Sequence, residues 1–354
     1  MKIFKNKIID ITVKSITITL IMLFLCFCYL IFLSKNYKTN IKEPIKIEIT
    51  KTANIDSVIN ILNKYGEFSN LFGKQSFLYM SSIRKYNNNI ISGTIILNPG
   101  DKYNNYDLVN KLRKTQRTTK TIQIPENIRK INTLLQTLDS VLEFKVNTLT
   151  NYIDTSDFLL RNNLTIFNFP TIFIPNTYEI YDNISPQLFL QKMISENKKF
   201  WNEKRLDKCD SLGLTKIQVS ILASIVEEEQ DNKIDERPRI AGLYINRLNN
   251  TRKFPYLQAD PTVIFANNDF NIKQVLNIHL EIKSPYNTYK NKGLPPGPIR
   301  ISSINSIDAV LNAENHNYYF MCAGSDGSGY HEFTSSINEH NKNKVKYKKY
   351  QEFN

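Results

Sequence analysis

Histidine and cysteine are scarce in this chain, with four of each among 354 residues. They show no HExxH or similar ligand spacing, so the sequence predicts no protein-bound metal. No GxxxxGK[ST] segment occurs either, which makes the glycines ordinary loop residues and not a phosphate cradle. Internal repeats and low-complexity tracts are also missing, apart from a general bias to Asn and Lys.

The formal net charge of +13 comes from lysines that are spread along the chain among Asn and Ile. No RNA-binding aromatic motif or helix-turn-helix signature accompanies them. We therefore interpret the excess as compositional bias and expect no nucleic-acid partner.

The cysteines fall into two pairs. Cys26 and Cys28 lie in an apolar N-terminal run, where we expect lipid-facing or helix-packing side chains. Cys209 and Cys322 lie far apart in the C-terminal half. They can form a disulfide only if the fold brings them together, and two unpaired thiols fit the sequence equally well.

Residues 16–33 form an apolar run without charge, Gly or Pro, about long enough to cross a bilayer as a helix. We predict a cytoplasmic N-terminus over 1–15 and a transmembrane signal anchor over 16–34, because the flanking lysines weakly favour an inner N-terminus. A cleaved signal peptide is the alternative, but no A-x-A site follows the run. The sequence thus predicts a single-pass protein of the inner (cytoplasmic) membrane, with everything after Lys35 on the outer, periplasmic side.

A polar connector is predicted over 35–44 and a small α+β module over 45–117. The spacing of apolar residues predicts strands at Ile45–Ile49 and Gly93–Leu97, and helices at Ile55–Leu62, Phe77–Ile83 and Tyr106–Leu112. The module has no cluster of acid, base and nucleophile, so we expect it to bind or to act as a spacer.

The remaining residues, 118–354, are predicted to form a larger, helix-rich domain of mixed α/β structure that opens with a strand at Thr121–Ile124. The predicted fold class is therefore α+β, with one N-terminal transmembrane helix, a small module and a larger domain. The larger domain contains all the residues with candidate chemical roles.

A helix beginning near Thr215 carries the most informative carboxylates. Thr215 and Gln218 read as a capping box, which fixes where the helix starts. At roughly 100° per residue, Glu229 falls within an apolar stripe that comprises Ile217, Ile221, Leu222, Ile225 and Val226. Glu227 falls nearly opposite. A carboxyl on an apolar face is costly to ionise, so its pKa should rise, as a general acid requires.

Glu229 is therefore the catalytic candidate. The alternative is a helix that ends there, with a solvated last turn and all three glutamates on the surface.

Segments further along the chain combine flat rings with fixed polar groups. The rings are those of Tyr286, Tyr289 and Phe333, and the polar groups are those of Asn246, Gln258, Asn287 and Thr288. Such a mixture suits sugar rings that bear N-acetyl groups. Ordinary structural explanations exist beside this one, since Asp260 before Pro261 also reads as a helix N-cap with proline at the first helical position.

Several motifs in order closely resemble the YceG-like (MltG) endolytic murein transglycosylases. They are FIPNTYEI at 173–180, ASIVEEE at 223–229, YINRL at 244–248, LQADPTV at 257–263, YNTY at 286–289, GLPPGPI at 293–299, and HEF and EHN near the C-terminus. The resemblance extends from the anchor to the C-terminus and implies that residues 45–117 are a LysM-like module.

The resemblance implies an enzyme, a peptidoglycan lytic transglycosylase that needs no cofactor. Its essential glutamate corresponds to Glu229, and Glu227 is the second choice because glutamate occupies three successive positions. The implied substrate-binding residues are Asn246, Arg247, Gln258, Asp260, Tyr286, Asn287, Thr288, Tyr289, His331 and Phe333.

The implied reaction cleaves the β-1,4 bond between N-acetylmuramic acid and N-acetylglucosamine and leaves 1,6-anhydromuramic ends, which would terminate nascent strands. Peptidoglycan strands, the inner membrane and cell-wall synthases are the implied partners. Two rival interpretations stay open: a non-catalytic, membrane-anchored peptidoglycan-binding scaffold, and a hydrolase in which a carboxylate such as Asp260 activates water.

Overall fold

A computed structural model describes residues 2–50, 53–69, 72–115, 119–126, 128–182 and 184–353, with side chains from Lys14 onward. The chain divides into two compact units. The small unit comprises Met1–Lys120 with Tyr181–Asn183, and the large unit comprises Thr121–Ile180 with Ile184–Asn354. The predicted domain boundary between residues 117 and 118 lies outside the described residues.

The small unit begins with an apolar helix, α1 (Lys2–Cys28), which ends in one π-helical turn at Tyr29–Leu33. Of the described helices, this one is long and apolar enough to cross a membrane, over the 20 residues Lys14–Leu33. This agrees with the predicted single-pass anchor.

Short strands and helices make up the rest of the small unit. They are β1 (Tyr37–Thr39), β2 (Ile45–Ile49), α2 (Ile55–Tyr65), β3 (Gly66–Phe68), α3 (Gly73–Ile83), β4 (Gly93–Leu97), β5 (Lys102–Tyr103) and α4 (Asn105–Arg113). Strand β1 pairs antiparallel with both β3 and β5, and β2 pairs antiparallel with β4. The helices supply the apolar side chains that cover these ribbons, among them Leu62, Phe77 and Leu108, each fully buried.

The large unit is mainly helical. Its elements are β6 (Thr119–Ile124), α5 (Ile131–Val141), α6 (Thr148–Thr155), α7 (Phe158–Arg161), β7 (Asn176–Tyr181), α8 (Pro186–Phe200), α9 (Glu203–Leu212), α10 (Lys216–Glu229), α11 (Arg237–Asn249), α12 (Asp260–Asn267), α13 (Asn277–Leu280), α14 (Ile304–Leu311), β8 (Phe320–Ala323), β9 (His331–Thr334) and α15 (Ile337–Phe353). Short 3₁₀ turns occur at Phe169–Ile172 and Ile234–Glu236. Strand β6 pairs with β7, and β8 with β9.

Two apolar clusters form the core of the large unit. One packs α5, α6 and α8 around buried side chains such as Leu134, Leu149 and Phe189. The other packs α10, α11 and α14 around side chains such as Leu222 and Val310. Helices α9 and α10 together would also be apolar enough for a span, although a bend of 78° separates them. Because α10 lies inside this second cluster, we read it as a core helix.

The α+β prediction is confirmed, and the predicted strands at Ile45–Ile49 and Gly93–Leu97 have the observed bounds. The predicted connector over 35–44 differs, because it contains β1, whose Tyr37 is fully buried and donates a hydrogen bond to the Leu62 carbonyl. Strands of two or three residues carry too little alternation to be read from sequence. The LysM-like character of the small unit stays a prediction.

Candidate active site

Helix α10 begins as the sequence predicts. The Thr215 amide donates to Gln218 Oε1 over 2.8 Å, and the Gln218 amide donates to Thr215 Oγ1 over 3.2 Å. The helix ends at Glu229. The expected division into an apolar and a polar face is wrong, however, because every side chain from Val219 to Glu227 is buried. Helices α11, α12 and α14 surround α10, so the hydrophobic stripe does not identify the side that faces the core.

Glu229 receives a hydrogen bond from a phenol. Tyr244 of α11 is 2% exposed, and its hydroxyl donates to Glu229 Oε1 over 2.5 Å. Burial raises the pKa of Glu229 to about 7, helped by the charge of Asp260 and opposed by the Tyr244 bond and the charges of His331 and Arg247. The predicted rise in pKa is thus confirmed.

The phenol of Tyr244 remains a donor. Burial and the adjacent Glu229 charge raise the pKa of Tyr244 well above its usual value. Tyr244 therefore holds Oε1 without supplying a proton near neutral pH. In the described part of the chain, no hydrogen bond to Glu229 Oε2 is seen, so this oxygen can meet a ligand.

Glu227, expected on the polar side, is buried at 3% exposure. Its Oε1 lies 3.3 Å from Arg300 Nη2, and its Oε2 accepts from the Ser303 amide over 2.8 Å. Glu228 accepts two bonds from Arg129, at 2.8 and 2.6 Å, and one from Arg300 at 3.1 Å. The alternative of a solvated last turn is therefore wrong, since all three glutamates have partners.

His331 on β9 is fixed by a buried carboxylate. Glu236, 3% exposed, accepts from the His331 backbone amide over 2.7 Å and lies 2.8 Å from His331 Nδ1. Gln230 donates to the same carboxylate over 2.7 Å. Burial alone would raise the pKa of Glu236, but the bonds from His331 and Gln230 hold it below its usual value. This network fixes the orientation of the imidazole, whose charge lowers the pKa of Glu229.

Asp260 is the first residue of α12, and the N-cap position belongs to Ala259. The capping interpretation is therefore displaced by one residue. The Asp260 carboxylate instead accepts from the Tyr289 hydroxyl over 2.5 Å. Burial raises the pKa of Asp260, and the bond from Tyr289 opposes that rise.

Asn246 and Arg247 bind backbone carbonyls. Asn246 Nδ2 donates to the carbonyls of His316 and Tyr318 over 2.7 and 3.0 Å. Arg247, 8% exposed, donates from Nε to the Tyr319 carbonyl over 2.8 Å and from Nη1 to the Leu257 carbonyl over 2.5 Å. These bonds tie α11 to the segments around the site and use the polar groups predicted to hold sugars.

The YNTY loop is built on buried polar residues. Asn287, fully buried, donates to the carbonyls of Leu280 and Ile282 over 2.9 and 3.0 Å. Thr288, 1% exposed, accepts from the Ala259 amide over 3.0 Å. These two residues shape the loop, whereas the exposed Gln258 side chain is available to a ligand.

The aromatic candidates differ in their surroundings. The Tyr286 ring packs on Phe265 with centroids 4.7 Å apart. Phe333 lies 5.9 Å from Tyr318, again between centroids. Both rings are half-buried, so each combines a core contact with a partly open face.

The predicted residues thus fall into two sets. One set surrounds the Glu229 carboxyl through charge or a shared partner: Arg247, Asp260, Tyr289 and His331. The other set, described above by backbone bonds, ring contacts or exposure, comprises Asn246, Gln258, Tyr286, Asn287, Thr288 and Phe333. Tyr244 and Glu236 were missed by the sequence reasoning, although Tyr244 lies inside the YINRL segment. No spacing rule marks a tyrosine 15 residues from an acid as its partner.

The cysteines have no part in the site. Cys209 and Cys322 are free thiols, which decides between the two alternatives for this pair. Among the residues that the structure describes, no group of three His, Cys, Asp or Glu side chains could hold a metal ion.

Comparisons with known proteins agree on one family. The model of the YceG-like family matches residues 47–346. An endolytic murein transglycosylase of Bacillus subtilis is 38% identical over 175 residues, which are 49% of this chain and 46% of that protein. One of Streptococcus pneumoniae strain D39 is 30% identical over 174 residues, 48% of this chain and 30% of that protein. The match therefore spans less than half the length of either relative.

The crystal structure of a YceG-like protein from Listeria monocytogenes superimposes with a TM-score of 0.52 at 26% identity. The superposition covers 85% of this chain and 99% of that chain. The chain belongs to the YceG-like family.

Proposed function

We propose that this protein is an endolytic peptidoglycan lytic transglycosylase that cleaves the β-1,4 bond between N-acetylmuramic acid and N-acetylglucosamine. One observation carries the proposal: Glu229 is a carboxyl with a pKa of about 7, held on one oxygen by the buried phenol of Tyr244. Family membership and the relatives named endolytic murein transglycosylases support the same chemistry.

In the first step, protonated Glu229 donates its proton to the glycosidic oxygen as the bond to C1 of muramic acid breaks. A raised pKa keeps this proton in place near neutral pH until the leaving group takes it. Because Tyr244 holds Oε1, we assign the transfer to Oε2.

In the second step, the Glu229 carboxylate accepts the proton of the muramic acid 6-hydroxyl while that oxygen attacks C1. The ring closes as a 1,6-anhydro end, and Glu229 regains its proton. No water is consumed, so one carboxyl serves in turn as acid and base, unlike the carboxylate pair of ordinary glycosidases.

Neighbouring residues are assigned supporting roles. His331, fixed by Glu236, and Asp260, bonded to Tyr289, set the charge around Glu229. Gln258 and the rings of Tyr286 and Phe333 are proposed to contact the sugars, whereas Asn246, Arg247, Asn287 and Thr288 shape the loops that carry such contacts.

The cellular setting follows from the apolar helix. We propose that residues 16–34 anchor the protein in the inner membrane and leave the large unit on the periplasmic side, where the cell-wall substrate lies. Cutting close to the membrane would terminate nascent strands, and cell-wall synthases are the proposed partners for that role.

Mass spectrometry of purified glycan strands, incubated with the detergent-solubilised full chain, tests the proposal. We expect internal cuts with 1,6-anhydromuramic ends, lost in Glu229→Gln. The matched control is Glu228→Gln, an identical change one residue earlier on α10, which should retain the cuts. Reducing ends would identify a hydrolase, and intact strands from a folded protein would identify a binding scaffold.

A further inference from the structure

The apolar helix enters the core of the small unit without an intervening linker. Ile31, in its last turn, is 2% exposed and belongs to the core that includes Tyr37. The Asn36 amide donates to the Leu30 carbonyl over 2.6 Å, and the Asn105 amide donates to the Ile31 carbonyl over 3.2 Å. The end of the helix is thus bonded to the small unit through side chain and backbone.

The bilayer core is thicker than the length of the apolar helical segment that precedes the π-helical turn. The 20 residues Lys14–Leu33 span about 30 Å at 1.5 Å per residue, which matches a bilayer core. The part before the π-helical turn, Lys14–Cys28, spans only about 22 Å. The π-helical turn must therefore also lie within the bilayer.

The outward side of that last turn is apolar. Tyr29, Phe32 and Leu33 are 56%, 43% and 69% exposed. These side chains gain most from lipid, and tyrosine is common at the membrane interface. Lipid at this depth also meets whichever part of the small unit lies beside the turn.

Helix α3 presents an apolar stripe there. Phe72 at its N-cap, Tyr79 and Ile83 are 61%, 49% and 48% exposed, and their spacing of seven and four residues places them along one side of the helix. Tyr79 contacts Phe27 of α1 edge-on, with ring centroids 5.8 Å apart. Phe27 lies six residues before Leu33, about 9 Å deeper along the helix axis. Tyr79 thus shares the depth of a residue inside the span.

We propose that this stripe, Phe72 at the N-cap of α3 with Tyr79 and Ile83 on the helix, inserts into the outer leaflet of the membrane and fixes the small unit at the bilayer surface. The proposal rests on the proposed membrane anchor. Its occupant is the lipid of the leaflet, because the stripe is continuous with the exposed side of the spanning helix. The small unit is then held directly at the membrane surface, and no flexible linker separates it from the bilayer.

Fluorescence quenching by brominated lipids in nanodiscs tests the insertion with the full chain. Tryptophan is placed at Tyr79→Trp on the stripe and, as a matched control, at Lys74→Trp on the opposite side of the same helix. Phe24→Trp reports on the middle of the span, and the buried Trp201 is a shared background. Phe72→Trp and Ile83→Trp serve as replacement reporters on the stripe if Tyr79→Trp fails to fold.

We expect the stripe tryptophans to lose fluorescence to shallow brominated lipids and Lys74→Trp to keep it. Equal signals at positions 79 and 74 overturn the proposal while leaving the anchor in place, provided that Phe24→Trp is quenched. A blue shift at position 79 that depends on protein per disc and not on lipid identifies a second copy as the occupant, which also overturns it. No quenching at position 24 removes the anchor and the inserted stripe together.

Discussion

Glu227 and Glu229 lie two residues apart on one helix, yet their surroundings differ in charge. Glu227 faces the guanidinium of Arg300 and the Ser303 amide. Glu229 faces the neutral phenol of Tyr244 and the acidic Asp260. Burial and the charge of Asp260 raise the pKa of Glu229.

If Glu229 is the acid, as proposed, burial alone does not identify a catalytic carboxyl. Glu227 is the more buried of the two, but its partners make it a structural ion pair between α10 and the segment before α14. Glu229 is partly exposed, and among the described residues no cation contacts it directly. It can therefore hold and release a proton near neutral pH.

The largest effect is expected for a substitution of Glu229. Glu229→Gln removes the only proposed proton donor, so we expect activity on glycan strands to fall about 10³-fold. Strand-cutting rates measure this, with Glu227→Gln assayed beside it. Equal losses in the two variants, both correctly folded, would show that the environments do not separate acid from ion pair.

Glu227→Gln should instead cost stability. It removes the charge of the buried carboxylate beside Arg300, which keeps its bond to Glu228, so we expect the free energy of unfolding to fall by about 3 kcal/mol, the lower end for a broken buried pair. Denaturant titration of the large-unit transition measures the change. A variant as stable as the wild type would contradict the structural role.

At alkaline pH, the Glu229→Gln variant should be more stable than the wild type. The folded state holds the pKa of Glu229 at about 7, above its ordinary value of 4.5, so the wild type loses stability as pH rises through this interval. At pH 4 the variant and the wild type should match, and at pH 8 the variant should be more stable by about 3 kcal/mol. A pH-independent difference between the two would argue against a raised pKa.

The smallest expected effect is at Asp260. Its charge raises the pKa of Glu229. Asp260→Asn should therefore shift the alkaline limb of the pH–rate profile to lower pH by about half a unit. The products should keep their 1,6-anhydro ends. Loss of turnover in a correctly folded variant would favour the hydrolase with Asp260 as base.

The parts of the fold that could be predicted are those with long periodic patterns. The capping box at Thr215 and the alternation over Ile45–Ile49 express local physical chemistry, and the observed elements follow them. Strand β1 could not be found, because the partners of Tyr37, among them β3, β5 and the Leu62 carbonyl, lie far away in sequence.

For the candidate site, Glu229 was predicted from a face argument that is wrong and from the resemblance to the YceG-like family. The apolar stripe could not tell the inner side of α10 from the outer, since the whole helix is enclosed. The partners Tyr244, Glu236 and Arg300 come from other segments of the chain. Their roles depend on how α11, β9 and the segment before α14 meet α10, which no local pattern encodes.

The proposed reaction depends most directly on the proton of Glu229. We would measure kcat/KM on soluble glycan strands from pH 5 to 9 for the wild type and Tyr244→Phe. A raised acid predicts a wild-type rate that falls above about pH 7. Because the Tyr244 bond lowers the pKa of Glu229, removing this bond should shift the alkaline limb of the profile to higher pH by about one unit. A flat wild-type profile, or a limb that stays in place or moves down in Tyr244→Phe, would contradict the assignment of Glu229 as the acid held by Tyr244.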